Sequence, residues 1–292
     1  MHWLLRQLAF LAFPLTGIVS EVSAAAPSTG CGKPPTLITP GAATTPLTLS
    51  HNNKERQYYV KMPADYDQNH PYRLVLTLHA LMGTAEQVTL GVGGYLPWYG
   101  LPDQMNDTVG AIYIAPDGLN NGWANQDGED VGFLQKAMQA VEGDLCVDQT
   151  LRFSTGFSYG AAMSYALACS LGKQIRAVAA LSGNPMISGC SGGAEPVAYY
   201  GEHGVGDAVL PIAGGREMRD RFVRNNGCAP QEPPEPASGS GTHIKTTYAG
   251  CDPDYPVVWV AFDGDHTPQP MDRGVAATFA AAESWNFFSQ FE

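Results

Sequence analysis

Basic residues are scarce in this chain of 292 residues: 16 Lys and Arg stand against 28 Asp and Glu, a formal charge of -12. A surface this acidic repels nucleic acid and anionic membranes and disfavours strongly acidic polymers, so a neutral or weakly charged partner fits it better. Long apolar runs are also lacking. The nearest, Leu8 to Val19, falls short of the ~20 residues that span a bilayer, so no membrane-spanning helix is expected. Cys-x-x-Cys spacing does not occur, which removes the usual zinc signature. No internal repeat and no second composition zone can be seen, which excludes a repeat array or an appended binding module. Charged residues make up 15% and hydrophobic residues 44%, the balance of a chain that buries one large core.

Arg6, the apolar run and the small residues Ala24, Ala25 and Ala26 make residues 1–26 a secretory signal peptide, leaving 27–292 as one extracellular domain, expected to be a monomer. The cysteines Cys31, Cys146, Cys169, Cys190, Cys228 and Cys251 all follow the cleavage point. An even number in an oxidising compartment implies three disulfides. Six cysteines allow fifteen pairings, although Cys228 and Cys251 share a loop and suggest a local pair. Asn106-Asp107-Thr108 is the one Asn-x-Ser/Thr sequon, open to glycosylation after export.

A Pro-, Thr- and Gly-rich arm, 27–46, precedes short apolar runs that alternate with helical stretches. That pattern predicts a mostly parallel sheet with helices on both faces. Strands are expected at 57–62, 74–79, 111–115, 151–157, 177–182, 196–202 and 257–262. Phe133, Leu134, Ala137, Met138, Val141 and Leu145 recur at helical spacing over 131–145. A small-residue helix over 159–171 should close at Gly172 in the C′ position, and a last helix should cover 276–288. Four prolines among Ser, Gly and Glu make 227–241 a surface loop.

Gly156-Phe157-Ser158-Tyr159-Gly160 matches G-x-S-x-G. A β-rich run leads in and a helix leads out, which is the strand, sharp turn and helix of a nucleophile elbow. A serine needs a base to take its proton and a carboxylate to orient that base, in the chain order Ser, Asp or Glu, His. Of the histidines after Ser158, His203 precedes the best acid and His243 reads as a plain surface residue. His266 follows the last strong strand and is the expected base. Asp207, directly after the strand ending at Glu202, is the expected acid. Asp263 and Asp265 are the rivals, too close to His266 in sequence to reach its ring without strain. The oxyanion of the transition state needs waiting N–H groups. Tyr159, the residue after the nucleophile, and Leu81, in the loop after His79, are the candidates, with His79 itself hydrogen-bonding within that loop. Trp98, Tyr99 and Trp123 lie in loops where a ring could stack on a substrate, as does Tyr159.

With these residues placed, the sequence resembles the fungal feruloyl esterases of carbohydrate esterase family one, relatives of the polyhydroxybutyrate depolymerases. The resemblance runs through 95–102, 122–125 with 128–131, 144–148, 156–169, 203–207, 222–228 and 262–268. It implies an α/β-hydrolase fold and hydrolysis of ferulate esters on the arabinose side chains of plant cell-wall xylan, without a cofactor or metal. The family's triad falls on Ser158, Asp207 and His266. The family's glycine-rich run after the strand-end histidine is replaced here by Ala80-Leu81-Met82-Gly83. An acetylxylan esterase or polyester depolymerase would keep the same machinery with another acyl pocket. A non-catalytic carbohydrate-binding relative is the reading from another class.

Overall fold

A strand covered on both faces must be apolar at nearly every position, and 74–76 and 111–115 satisfy this. The computed structural model, which describes residues 24–38, 45–105 and 110–292, sets both runs inside a nine-stranded sheet. Most of the expected signal peptide and the Asn106 glycosylation site lie outside the described residues. The strands are β1 (Leu47–His51), β2 (Lys54–Lys61), β3 (Tyr72–Leu78), β4 (Ala111–Pro116), β5 (Val147–Phe157), β6 (Ala177–Leu181), β7 (Ala198–Gly204), β8 (His243–Thr247) and β9 (Val257–Phe262). Across the sheet they run β1-β2-β4-β3-β5-β6-β7-β9-β8. The six from β4 to β9 in that order are parallel; β1 and β2 at one edge and β8 at the other pair antiparallel.

The helices are α1 (Ala85–Leu90), α2 (Glu129–Asp144), α3 (Tyr159–Ser170), α4 (Pro185–Ser188), α5 (Ile212–Asn225) and α6 (Phe279–Ser289). Alternate side chains of a strand face opposite ways. Leu74, Leu76, Ile112 and Ile114 accordingly pack with Phe133, Met163 and Phe222 of α2, α3 and α5. Val75, Tyr113 and Leu181 pack on the other face with Val88 of α1 and Phe288 of α6. This is the mostly parallel, doubly covered sheet expected from the alternation of runs, and the α/β-hydrolase architecture that the resemblance implies.

β1 and β8 were not expected. Both are half-exposed edge strands, without the continuous apolar run of a central one. α5 carries Gly214-Gly215, poor helix formers that blur its periodicity. Gly215 is nevertheless required, since a Cβ there would lie 2.3 Å from His203 Nδ1. Gly172 is not the left-handed cap expected, for its φ is not positive. Glu195 Cβ approaches within 2.8 Å of where its own Cβ would stand, so close packing is what demands glycine.

Disulfides join Cys31 to Cys146, Cys169 to Cys190 and Cys228 to Cys251, the last being the local pair anticipated. The 227–241 segment runs without helix or strand, as its prolines require. The N-terminal arm is tied down by Ser28, which donates to Leu145 O at 2.7 Å, and by Asp144, which accepts from the Thr36 and Leu37 amides.

Candidate active site

Ser158 lies between the end of β5 and the start of α3 with φ 57° and ψ -113°, a conformation that L residues avoid. Its N–H donates to Leu181 O at 2.9 Å, so the neighbouring β6 pins the turn. The flanking glycines are forced by contact. A Cβ on Gly160 would stand 2.1 Å from Leu78 O, and one on Gly156 2.5 Å from the Gly160 carbonyl carbon. Strand, turn and helix therefore meet in the geometry of a nucleophile elbow.

The loops after β7 and β9 bring the other two candidates together. His266 Nδ1 is 2.6 Å from Asp207 Oδ2, and the His266 ring packs on Phe157, the residue before Ser158, with centroids 4.4 Å apart. Asp207 is held from three sides. Its Oδ1 accepts from the Val209 and Leu210 amides at 2.9 and 2.8 Å, and its Oδ2 also has His203 Nε2 at 3.3 Å. That nitrogen is 2.7 Å from Leu210 O. A carbonyl only accepts, so Nε2 carries the proton and donates it to Leu210 O, with the carboxylate as its close polar neighbour. Burial pushes the His203 pKa down, which favours the neutral ring, so the contact with Asp207 is a dipolar one rather than an ion pair. His203 thus buttresses the Asp207 side chain, a part that chain order alone could not reveal.

The rival acids are placed elsewhere. Asp263 Oδ2 accepts from the Gly241 amide at 2.6 Å, a bond that holds its pKa below the usual carboxylate range, and it braces the 239–242 turn. Asp265 is exposed. His243 is more than a plain surface residue: it lies 2.9 Å from Asp272 and stacks on Phe279 with centroids 4.0 Å apart.

Facing the elbow is the loop after β3. His79 is buried, its Nε2 accepting from the Gly118 amide at 2.9 Å and its Nδ1 lying 2.7 Å from Ala80 O. Burial lowers its pKa, and the ring works as the loop's internal brace. The amides of Ala80, Met82 and Gly83 donate to Tyr95 Oη, Asn121 O and Ala80 O. Leu81 is left as the amide of that run with no protein acceptor among the described residues. Tyr159 opens α3, where the first amides of a helix have no partner within it.

Trp98, Tyr99 and Trp123, expected as substrate-stacking rings, are instead packing residues, at 2%, 6% and 0% exposure. Trp123 donates to His79 O at 2.8 Å, fixing the loop after β3. Tyr99 donates to Leu78 O at 2.6 Å and accepts from the Phe157 amide at 3.0 Å, which joins the β3 end to the elbow. Their loop positions suggested open faces, but burial is settled by long-range packing. Tyr159 alone of the four is partly open.

Feruloyl esterase D of Neurospora crassa is 47% identical to this chain over 290 residues, 98% of each. The chain belongs to the fungal feruloyl esterases. Feruloyl esterase C of Emericella nidulans is 46% identical over 261 residues, 89% of this chain and 90% of its own length. No protein-family model matches. Among solved structures, a CE1 ferulic acid esterase from Anaeromyces mucronatus in complex with ferulic acid is similar at a TM-score of 0.57 and 17% identity, covering 85% of this chain and 89% of that one. An acetyl xylan esterase from Aspergillus awamori gives a TM-score of 0.57 at 15% identity, covering 84% and 99%. At such identities the shared property is the fold. Family membership itself comes from the two fungal relatives.

Proposed function

We propose that this chain is a secreted serine esterase that releases ferulic acid from feruloylated arabinoxylan and its oligosaccharides, with Ser158, His266 and Asp207 as its triad. The observation that carries this reading is the Asp207–His266 contact at 2.6 Å, assembled from two separate loops beside the strained Ser158. Ser158 Oγ attacks the ester carbonyl while His266 Nε2 takes its proton. Asp207, bonded to Nδ1, holds the ring in the tautomer that leaves Nε2 free to accept and stabilises the imidazolium that forms. The Leu81 and Tyr159 amides receive the oxyanion, since neither is spent on a protein acceptor among the described residues. The imidazolium then protonates the departing alcohol, and water, activated by the same histidine, cleaves the acyl-enzyme. Fungal relatives named feruloyl esterase support ferulate as the acyl group. Three disulfides support an oxidising, extracellular destination.

The test is hydrolysis of methyl ferulate by the wild type and by Ser158→Ala. Turnover should fall by about 10⁴-fold or more; activity surviving the change would refute the assignment. Initial rates on methyl ferulate, acetylated xylan and hydroxybutyrate oligomers in parallel should favour the first. A higher rate on either of the others would transfer the acyl pocket to that substrate.

A further inference from the structure

Exposed large apolar side chains are not scattered over this molecule. Leu37 aside, those among the described residues lie in the segments that follow β3, β6, β7 and β9. These are the carboxyl ends of the parallel strands, where open α/β sheets receive their ligands. The same segments carry Leu81, Asp207 and His266. Met82 is 76% exposed, Met186 84%, Val209 66%, and Leu81 and Met271 55% each.

Contacts between these segments close them into a ring. Gly122 is pinched between the Tyr159 ring and Leu81, to which a Cβ there would stand 2.7 and 3.3 Å away. Asn125 of that same stretch donates to Ser188 O, two residues beyond Met186. Asn184, which accepts from the Met186 amide, packs on Gly214 at the start of α5, a few residues after Val209. Gln269, between His266 and Met271, donates to Gly94 O and returns the ring to the segment after β3.

The exposed large apolar members of the ring are Leu, Val and Met, none Trp, Tyr or Phe, and they stand among exposed polar residues such as Asn120, Asn121, Asp265 and Arg273. Flat aromatic faces stack on sugars, whereas branched and thioether chains cover flexible hydrocarbon. Large apolar side chains exposed together at the ligand-receiving end of a sheet mark a binding surface. The acyl group has to pass inward to reach Ser158, which is only 9% exposed, so what meets an outer border is the alcohol half of the ester. We propose that the rim formed by Leu81, Met82, Met186, Val209 and Met271 binds the alkyl chain of the alcohol, making long-chain alkyl hydroxycinnamates substrates of this enzyme. This rests on the assignment of Ser158 as nucleophile and on ferulate as its acyl group.

The test compares kcat/KM for methyl, butyl, hexyl and octyl ferulate, each below its aggregation limit. Wild type should gain about two- to fourfold per methylene until the rim is covered. The variant Met82→Asn/Met186→Gln/Met271→Gln should keep its methyl ferulate rate and lose most of the gain. Asn is chosen at position 82 because Met82 has φ 65°, which Asn tolerates. A flat wild-type series, or a gain undiminished in the variant, overturns the proposal. Inactivation of Ser158 by p-nitrophenyl alkylphosphonates of increasing alkoxy length reads the rim without a feruloyl group. Chain-length dependence there, with no turnover of methyl ferulate, would sink the feruloyl reading and leave the rim standing; no dependence would sink the rim.

Discussion

Glu202 is a carboxyl with almost no water around it, one residue before His203 on β7. Tyr200 donates to its Oε2 at 2.7 Å, while Oε1 has no partner among the described residues. Burial pushes its pKa up from 4.5 to about 8, so the folded protein keeps Glu202 protonated where the unfolded chain ionises it. The native state then binds more protons than the unfolded one between those two values, and stability falls as pH rises through that interval. Its contribution is whole below about pH 4.5 and gone above about pH 8. Urea midpoints measured at half-unit steps should show this slope in the wild type and a flatter one in Glu202→Gln, whatever the variant's absolute stability. Equal slopes would mean that the group titrates normally. At this scale the sequence is legible where chemistry imposes order. Ser158, Asp207 and His266, the proposed triad, could be ranked because chain order in such folds runs nucleophile, acid, base, and Asp207 and His266 do meet at 2.6 Å. Glu202 and His203 could not, because their roles come from burial and from a neighbour brought close by folding. The three aromatics failed for the same reason: a ring in a loop looks open until its packing is known.

The element that matters most is the β5–α3 elbow, and its stability is borrowed from a neighbouring loop. Tyr99 bridges Leu78 O and the Phe157 amide from a position with φ 60°, itself a conformation that tyrosine seldom adopts. Tyr99→Phe removes the hydroxyl and leaves two buried backbone groups unmatched, at a cost of about 2–4 kcal/mol in unfolding free energy. Methyl ferulate kcat should drop more than KM changes, because the turn that presents Ser158 loosens while the outer rim does not. Unchanged kcat with reduced stability would show that the elbow holds itself. Central strands and the helices α2, α3 and α6 were readable from periodicity, with ends displaced by a few residues. The edge strands β1 and β8 were not, since half-exposed positions dilute the pattern, and α5 was masked by the two glycines that let it approach His203.

For the whole molecule, Cys31–Cys146 closes the longest covalent loop, spanning 115 residues. Such a closure stabilises by about 4 kcal/mol when the loop is unstrained. Replacing both cysteines by serine should lower the melting temperature by roughly 5–10 °C while leaving kcat on methyl ferulate within about twofold. A large loss of activity at 25 °C would instead tie the arm to the catalytic end. The disulfide sits far from that end. Cys146 directly precedes β5, so it lies at the amino edge of the sheet, with Ser158 at the carboxyl edge. Pro27 bridges Asp148 at the same amino edge, and Arg73 at the start of β3 donates to Phe291 O near the chain's other terminus. Both tails therefore leave from the back of the enzyme. A carrier protein, affinity tag or surface tether joined at either one would trail behind, with the apolar mouth still turned toward whatever it meets.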